Sequence, residues 1–184
     1  MKNLTRNHFI SDWVIPFYQT KISNWEDKKE KLLQIYDMFS KDNMSSGEQL
    51  TDFEDNSTRY HVLIENILFD DIKRAKLELG FDTKTPKINN AWFQIYEYGH
   101  SHSIHNHGMG CLSMVCYIKY NPQKHRPTTF IAPFTSLRDG NVLEWEPKDV
   151  DEGTMVIFPS ALSHYVPTNQ SDDIRMILSA NIGE

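Results

Sequence analysis

The chain has 184 residues, a net charge of -6, an apolar fraction of 39% and a charged fraction of 24%. That length supports a single domain, 1–184, whose core buries roughly 70% of the surface an unfolded chain exposes, so folding requires neither a disulfide nor a structural metal. The acidic balance argues against a nucleic-acid partner: the densest basic run, Lys28, Lys29 and Lys31, alternates with Glu26, Asp27 and Glu30 and reads as a solvated helix face. No apolar stretch of 18 residues and no N-terminal apolar segment occurs, so a cytoplasmic location without a membrane span is expected.

In chain order, residues 1–85 read as a mainly helical support. Phe9, Trp13, Val14, Ile15 and Phe17 form an aromatic segment interrupted by Pro16, suited to an edge strand or an extended arm. Asn24 is placed to cap a helix over about 25–40, with Leu32, Leu33, Ile35, Tyr36 and Phe39 at helical spacing. Residues 41–57 read as loop. Asn56 or Ser57 then opens a longer helix to about Leu79, with Tyr60, Leu63, Ile64, Ile67, Leu68, Ile72 and Ala75 as its buried stripe and Gly80 as its stop.

From residue 86 to 184 the pattern changes to short β-like runs about ten residues apart. These are Ala91–Tyr96, Cys111–Ile118, Thr128–Ile131, Val142–Trp145, Thr154–Phe158, His164–Val166 and Ile174–Leu178, with Gly, Pro, Asn and Asp between them. This predicts an antiparallel sandwich or jelly roll, and with the helices packed on one face an α+β domain. Cys111 and Cys116 have an odd separation, which puts them on opposite faces of a strand, so they read as two reduced thiols.

Eight histidines occur, and four of them crowd into Gly99-His100-Ser101-His102-Ser103-Ile104-His105-Asn106-His107. Residues i and i+2 of a strand share a face, so His105-x-His107 can grip one cation from one side. A third imidazole from a neighbouring strand, His164, would close a facial triangle and leave coordination positions open, the logic of a non-haem iron(II) oxygenase site. His164 follows Glu152-Gly153 and Phe158-Pro159, a turn, a strand and a break. Arg175, eleven residues further on, sits among apolar neighbours and needs a partner, which a ligand carboxylate could supply. His8, His61 and His125 are isolated and read as solvated or hydrogen-bonded structural residues.

Trp92-x-x-x-Tyr96, Gly99, His105-x-His107, Leu112-Ser113, Tyr117, Glu152-Gly153, Phe158-Pro159-Ser160, His164, Asn169, Arg175 and Asn181-Ile182 stand in an order that resembles the Fe(II)/2-oxoglutarate dioxygenases. The closer likeness is to the small prolyl-hydroxylase-like branch of bacteria and phages, which the upstream Thr51-Asp52-Phe53 also resembles. The resemblance implies a double-stranded β-helix over 86–184. It implies Fe(II) held by His105, His107 and His164, with 2-oxoglutarate bound by Arg175, Tyr117 and Tyr96 and with Ser179 as a further contact. It also implies dioxygen and a small-molecule or peptide substrate, which is hydroxylated with release of succinate and CO2. A homodimer stays open. Loops 99–110 and 133–152 are expected at the mouth, with Met109, Arg138 and Trp145 as selectivity candidates.

Two departures bear on this. His107 stands where the wider superfamily carries Asp or Glu, leaving the site one negative charge poorer. Ile177 stands where many relatives carry a hydroxyl two residues after the carboxylate-binding Arg. Rival readings are a cupin-type three-His dioxygenase or isomerase without 2-oxoglutarate, which gives Arg175 no role, and a non-enzymatic, metal-stabilised jelly roll. A zinc hydrolase lacks a nearby carboxylate base.

Overall fold

The computed structural model describes residues 15–56, 59–81, 85–110 and 112–183. In chain order the elements are β1 (Tyr18–Lys21), α1 (Trp25–Ile35), a π-helical turn (Tyr36–Ser40), a 3-10 turn (Lys41–Asn43), β2 (Ser45–Ser46), β3 (Leu50–Thr51), α2 (Phe53–Asn56) and α3 (His61–Glu78). There follow β4 (Lys87–Tyr96), β5 (His102–His105), β6 (Leu112–Lys119), β7 (Thr129–Thr135), β8 (Val142–Trp145), β9 (Thr154–Pro159), β10 (His164–Val166) and β11 (Arg175–Gly183). Among the described residues no helix is long and apolar enough to cross a membrane.

Two antiparallel sheets result. A seven-stranded sheet has the order β1-β9-β6-β11-β4-β3-β2, and a four-stranded sheet the order β5-β10-β7-β8. The long strands are apolar almost without interruption because both their faces are covered. Side chains alternate between two cores. Ala91, Phe93, Ile95, Met114, Cys116, Ile118, Met155, Ile157, Met176, Leu178 and Ala180 pack with Leu32, Ile35, Ile64, Leu68, Ile72 and Ala75 of α1 and α3. Tyr96, Val115, Tyr117, Val156, Phe158 and Ile177 turn the other way, toward Phe130, Val166 and the smaller sheet. This is a double-stranded β-helix with helices on one outer face.

Most expected elements are present, with shifts that have local causes. α1 passes into the π-helical turn near the expected end, and Asn24 occupies its N-cap in the left-handed region (φ 50°), its carbonyl accepting from Lys28 N (3.2 Å) with no side-chain cap. α3 begins at His61 rather than near residue 57, and Ser57 lies outside the described residues. Gly80 stops α3 as expected: its φ is 79°, and Phe81 N donates back to Lys76 O (2.9 Å). The 41–57 segment is not plain loop. It adds β2 and β3 to the sheet edge, and the buried Asp52 accepts from Tyr60 Oη (2.6 Å) and from Phe93 N (2.8 Å), tying the segment to β4. Of the N-terminal aromatic segment, Phe9, Trp13 and Val14 lie outside the described residues, and β1, just after it, is an edge strand on β9. Cys116 is a buried free thiol, while Cys111 lies outside the described residues.

Gly153 anchors the turn into β9. Its φ is 77°, and a Cβ there would stand 2.5 Å from the Trp25 ring. Its N donates to Tyr117 O (2.7 Å) and its O accepts from Ile22 N (2.9 Å), so it cannot move away. Gly153→Ala is expected to cost about 2 kcal/mol or more through backbone strain and collision. A melting temperature equal to wild type would contradict this.

Candidate active site

The smaller sheet brings the three histidines together. β10 pairs with β5 so that His164 faces His105, and with β7 so that His164 faces Phe130. β5 ends at His105, so His107 lies beyond the strand, and the spacing argument for a shared strand face stops short of it. A turn delivers His107 instead: Asn106 Oδ1 accepts from Gly108 N (3.1 Å), Gly108 has φ 79°, and His107 N donates to Ser160 O (2.9 Å). The ring centroids of His105 and His164 are 4.3 Å apart, and each is 5.2 Å from that of His107. One ring nitrogen from each lies within 4.8 Å of the other two. Three nitrogen donors at this separation can face a single divalent transition metal.

Hydrogen bonds prepare two of the rings. His105 Nδ1 lies 2.8 Å from Ser103 O and His164 Nδ1 2.9 Å from Leu162 O. A carbonyl only accepts, so Nδ1 carries the proton in both and the Nε2 lone pair is free for a metal. Phe130 and Phe158 pack around His164, which is 3% exposed.

Burial, reinforced by repulsion from neighbouring rings, pulls His107 down to about 4 and His164 down to about 3. The same two causes bring His102 down to about 4, and burial lowers His105. The unfolded chain takes up these protons near pH 6.5, while the folded site resists until pH falls to about 4 and 3. The resulting stability is therefore present in full above pH 6.5 and is lost as pH falls through that interval. The melting temperature of metal-free protein is expected to drop steadily from pH 6.5 to pH 4, and less steeply for His164→Gln. A flat wild-type profile would contradict the burial argument.

Arg175, at the start of β11, is the largest fully buried side chain among the described residues, at 1% exposure. Its guanidinium carbon is 5.1 Å from the Tyr96 ring centre and 5.6 Å from that of Tyr117. Among the described residues its one hydrogen bond is a weak donation from Nη2 to Oγ1 of Thr128 (3.3 Å), which lines the inner cavity with the three histidines. The nearby acid Asp173 pairs with Lys124 instead (2.9 Å). Among the described residues, Arg175 Nε and Tyr96 Oη are both buried without a hydrogen-bond partner. Tyr117 Oη accepts from Thr128 N (3.1 Å), which leaves its own proton free to donate inward. Burying an unpaired cation is costly, and a carboxylate would satisfy this cluster.

Ser179 lies on the cavity face of β11, where its Oγ donates to Gln94 Oε1 (2.8 Å). Gln94 was not among the expected site residues, nor were His102 and Thr128. The signal for Gln94 was available, since it lies two residues before Tyr96 on the same face of β4. A cavity of about 270 Å³ opens beside His105 and His107 and is walled by Phe53, Trp92 and Gln94. A wider depression of about 830 Å³ reaches the site at His102 and Val166. Met109 is 91% exposed, and Trp145 leans on Phe17 and Phe130. His125 is structural, its Nε2 donating to Asp173 O (3.0 Å). Asn169 locks the segment before β11, donating from Nδ2 to Tyr96 O (2.9 Å).

The family described as "Putative 2OG-Fe(II) oxygenase" matches residues 90–181, a span that holds all three histidines and Arg175. No curated protein sequence matches the chain. Among solved structures, the epimerase SnoN in complex with Fe3+, alpha ketoglutarate and nogalamycin RO superposes with a TM-score of 0.67 at 12% identity, over 92% of this chain and 79% of that one. A Pseudomonas putida prolyl-4-hydroxylase does so with 0.58 at 15% identity, over 92% and 93%. HygX from Streptomyces hygroscopicus, solved with nickel and 2-oxoglutarate bound, gives 0.59 at 7% identity, over 92% and 83%. At such identities these likenesses speak for the fold alone.

Proposed function

The chain belongs to the 2OG-Fe(II) oxygenase family, and from that premise we propose that it hydroxylates a small-molecule or peptide substrate, with Fe(II) on His105, His107 and His164 and 2-oxoglutarate reaching Arg175. One observation carries the reading. A guanidinium at 1% exposure has an Nε without a hydrogen-bond partner among the described residues, close to the equally unpartnered Tyr96 hydroxyl, and it donates to Thr128, which lines the same inner cavity as the three converging imidazoles. A cupin-type site has no use for that cation.

The donor set fits the metal, since neutral imidazoles suit iron among other first-row ions. The iron supplies the dioxygen chemistry, with the 2-oxo acid as its reductant. The protein binds and orients. Arg175 and the hydroxyls of Tyr96 and Tyr117 hold the far carboxylate, while Phe130, Phe158 and Ile177 keep water from the inner cavity. His107 leaves the metal more positive than a carboxylate would, which favours an anionic chelating ligand. Substrate enters by the 270 Å³ cavity beside His105 and His107.

The test is direct. Under anaerobic conditions Fe(II) plus 2-oxoglutarate is expected to give a visible charge-transfer band, and admission of air a slow 2-oxoglutarate-dependent release of succinate. Absence of both the band and the succinate would defeat the assignment.

A further inference from the structure

A fourth histidine stands at the centre of the site. The His102 ring stacks on that of His105, with centroids 3.9 Å apart and planes inclined by 25°. It lines the inner cavity with His105, His107 and His164, and it also lines the 270 Å³ cavity. A directed chain of hydrogen bonds holds it. Ser179 Oγ on β11 donates to Gln94 Oε1 on β4 (2.8 Å), and Gln94 Nε2 lies 3.2 Å from His102 Nδ1 on β5. An amide nitrogen only donates, so Nδ1 of His102 must be the lone-pair nitrogen. The neutral ring then carries its proton on Nε2. No hydrogen bond within the described protein uses that Nε2–H.

This orientation is the reverse of that in His105 and His164, whose Nδ1 atoms are the donors. Two rings present lone pairs to a metal, whereas His102 presents a proton. Besides the histidines, Ser179 and Gln94, the polar side chains lining the inner cavity are Trp92 and Thr128, whose hydroxyl oxygen accepts from Arg175. Ile177 is apolar, and the hydroxyl proton of Ser179 and one Gln94 N–H are already committed to the chain. An anionic ligand lying between the triad and Arg175 would need a donor here.

We propose that His102 is a positioning residue whose Nε2–H, set by the Ser179–Gln94–His102 chain, donates to the metal-side carboxylate of a bound 2-oxo acid. The inference rests on the oxygenase reading given above. It assigns the fourth histidine to cosubstrate orientation, separate from the three that hold the metal.

Protein loaded with Co(II), which does not turn over, is titrated with 2-oxoglutarate and followed by its visible d–d bands. His102→Phe keeps a flat ring on His105 and removes the donor; His102→Gln keeps a donor. His102→Phe is expected to bind Co(II) within about threefold of wild type while its 2-oxoglutarate affinity falls about tenfold, the scale of a hydrogen bond to a charged group. His102→Gln is expected to recover most of that loss. A 2-oxoglutarate affinity unchanged in His102→Phe overturns the proposal. A matching loss of Co(II) affinity also overturns it, because His102 would then merely brace His105. Wild-type protein that binds Co(II) but no 2-oxoglutarate sinks the oxygenase reading itself, and the inference with it.

Discussion

Arg175→Met is expected to raise the melting temperature of the ligand-free protein while lowering its affinity for 2-oxoglutarate about a hundredfold. The two effects have one cause. The guanidinium is 1% exposed, has no carboxylate partner among the described residues and leaves Nε unsatisfied. Desolvating a charge without pairing it costs several kcal/mol, only part of which the Tyr96 and Tyr117 rings return. Methionine fills a similar volume and carries no charge, so the variant gains about 1–3 kcal/mol, or several degrees for a chain of this size. The same change removes the charged partner of the far carboxylate, a loss on the scale of 2–5 kcal/mol when a buried pair is truncated. Scanning calorimetry with Ni(II), with and without 2-oxoglutarate, reads both effects. Wild type should be stabilised by about 2.7 kcal/mol at a hundredfold excess over the dissociation constant, and the variant hardly at all. A variant that melts lower and still responds fully to 2-oxoglutarate would show that Arg175 has a structural partner and no role toward the acid.

His164→Ala is expected to abolish iron binding at micromolar metal and to reduce turnover by roughly a thousandfold, beyond the 10–100-fold typical of changes outside the ligand set. His164 has no substitute. β10 is three residues long, its pairing with β5 sets His164 opposite His105, and Leu162 O fixes the ring's tautomer. His100 and His102 cannot take its place: Glu97 N donates to His100 Nδ1, and Gln94 holds His102. The variant should still fold, because the Phe130–Phe158 contact (4.7 Å) behind the ring persists without it. Metal titration followed by Co(II) absorbance tests this. Retention of stoichiometric binding near wild-type affinity would refute the triad.

Local composition carried much of this reading. β6, β9 and β11 are legible because strands covered on both faces must be apolar throughout, and Gly80 is legible because few other residues tolerate φ 79° after a helix. His105, His107, His164 and Arg175 stand out because imidazoles at short spacing and a cation among apolar strand residues need explaining. β5 is absent from the strands expected from the sequence, because a four-residue strand in a His- and Ser-rich segment carries no apolar alternation. β2 and β3 were missed for a similar reason, since two-residue strands are defined by their partner and not by their own residues.

Sequence by itself determined which side chains are available: three closely patterned imidazoles, one cation among apolar strand residues, and the alternation that sends Tyr96 of β4, Tyr117 of β6 and Arg175 of β11 to one face of the sheet. Only the tertiary structure decided which nitrogen of each histidine carries its proton, because the carbonyls of Ser103 and Leu162 and the amide of Gln94 reach those rings through chain geometry. It alone joined Ser179 to Gln94 across 85 residues and left Arg175 Nε without a partner. Hydrogen bonds between distant strands depend on register and sheet curvature, which no local pattern encodes.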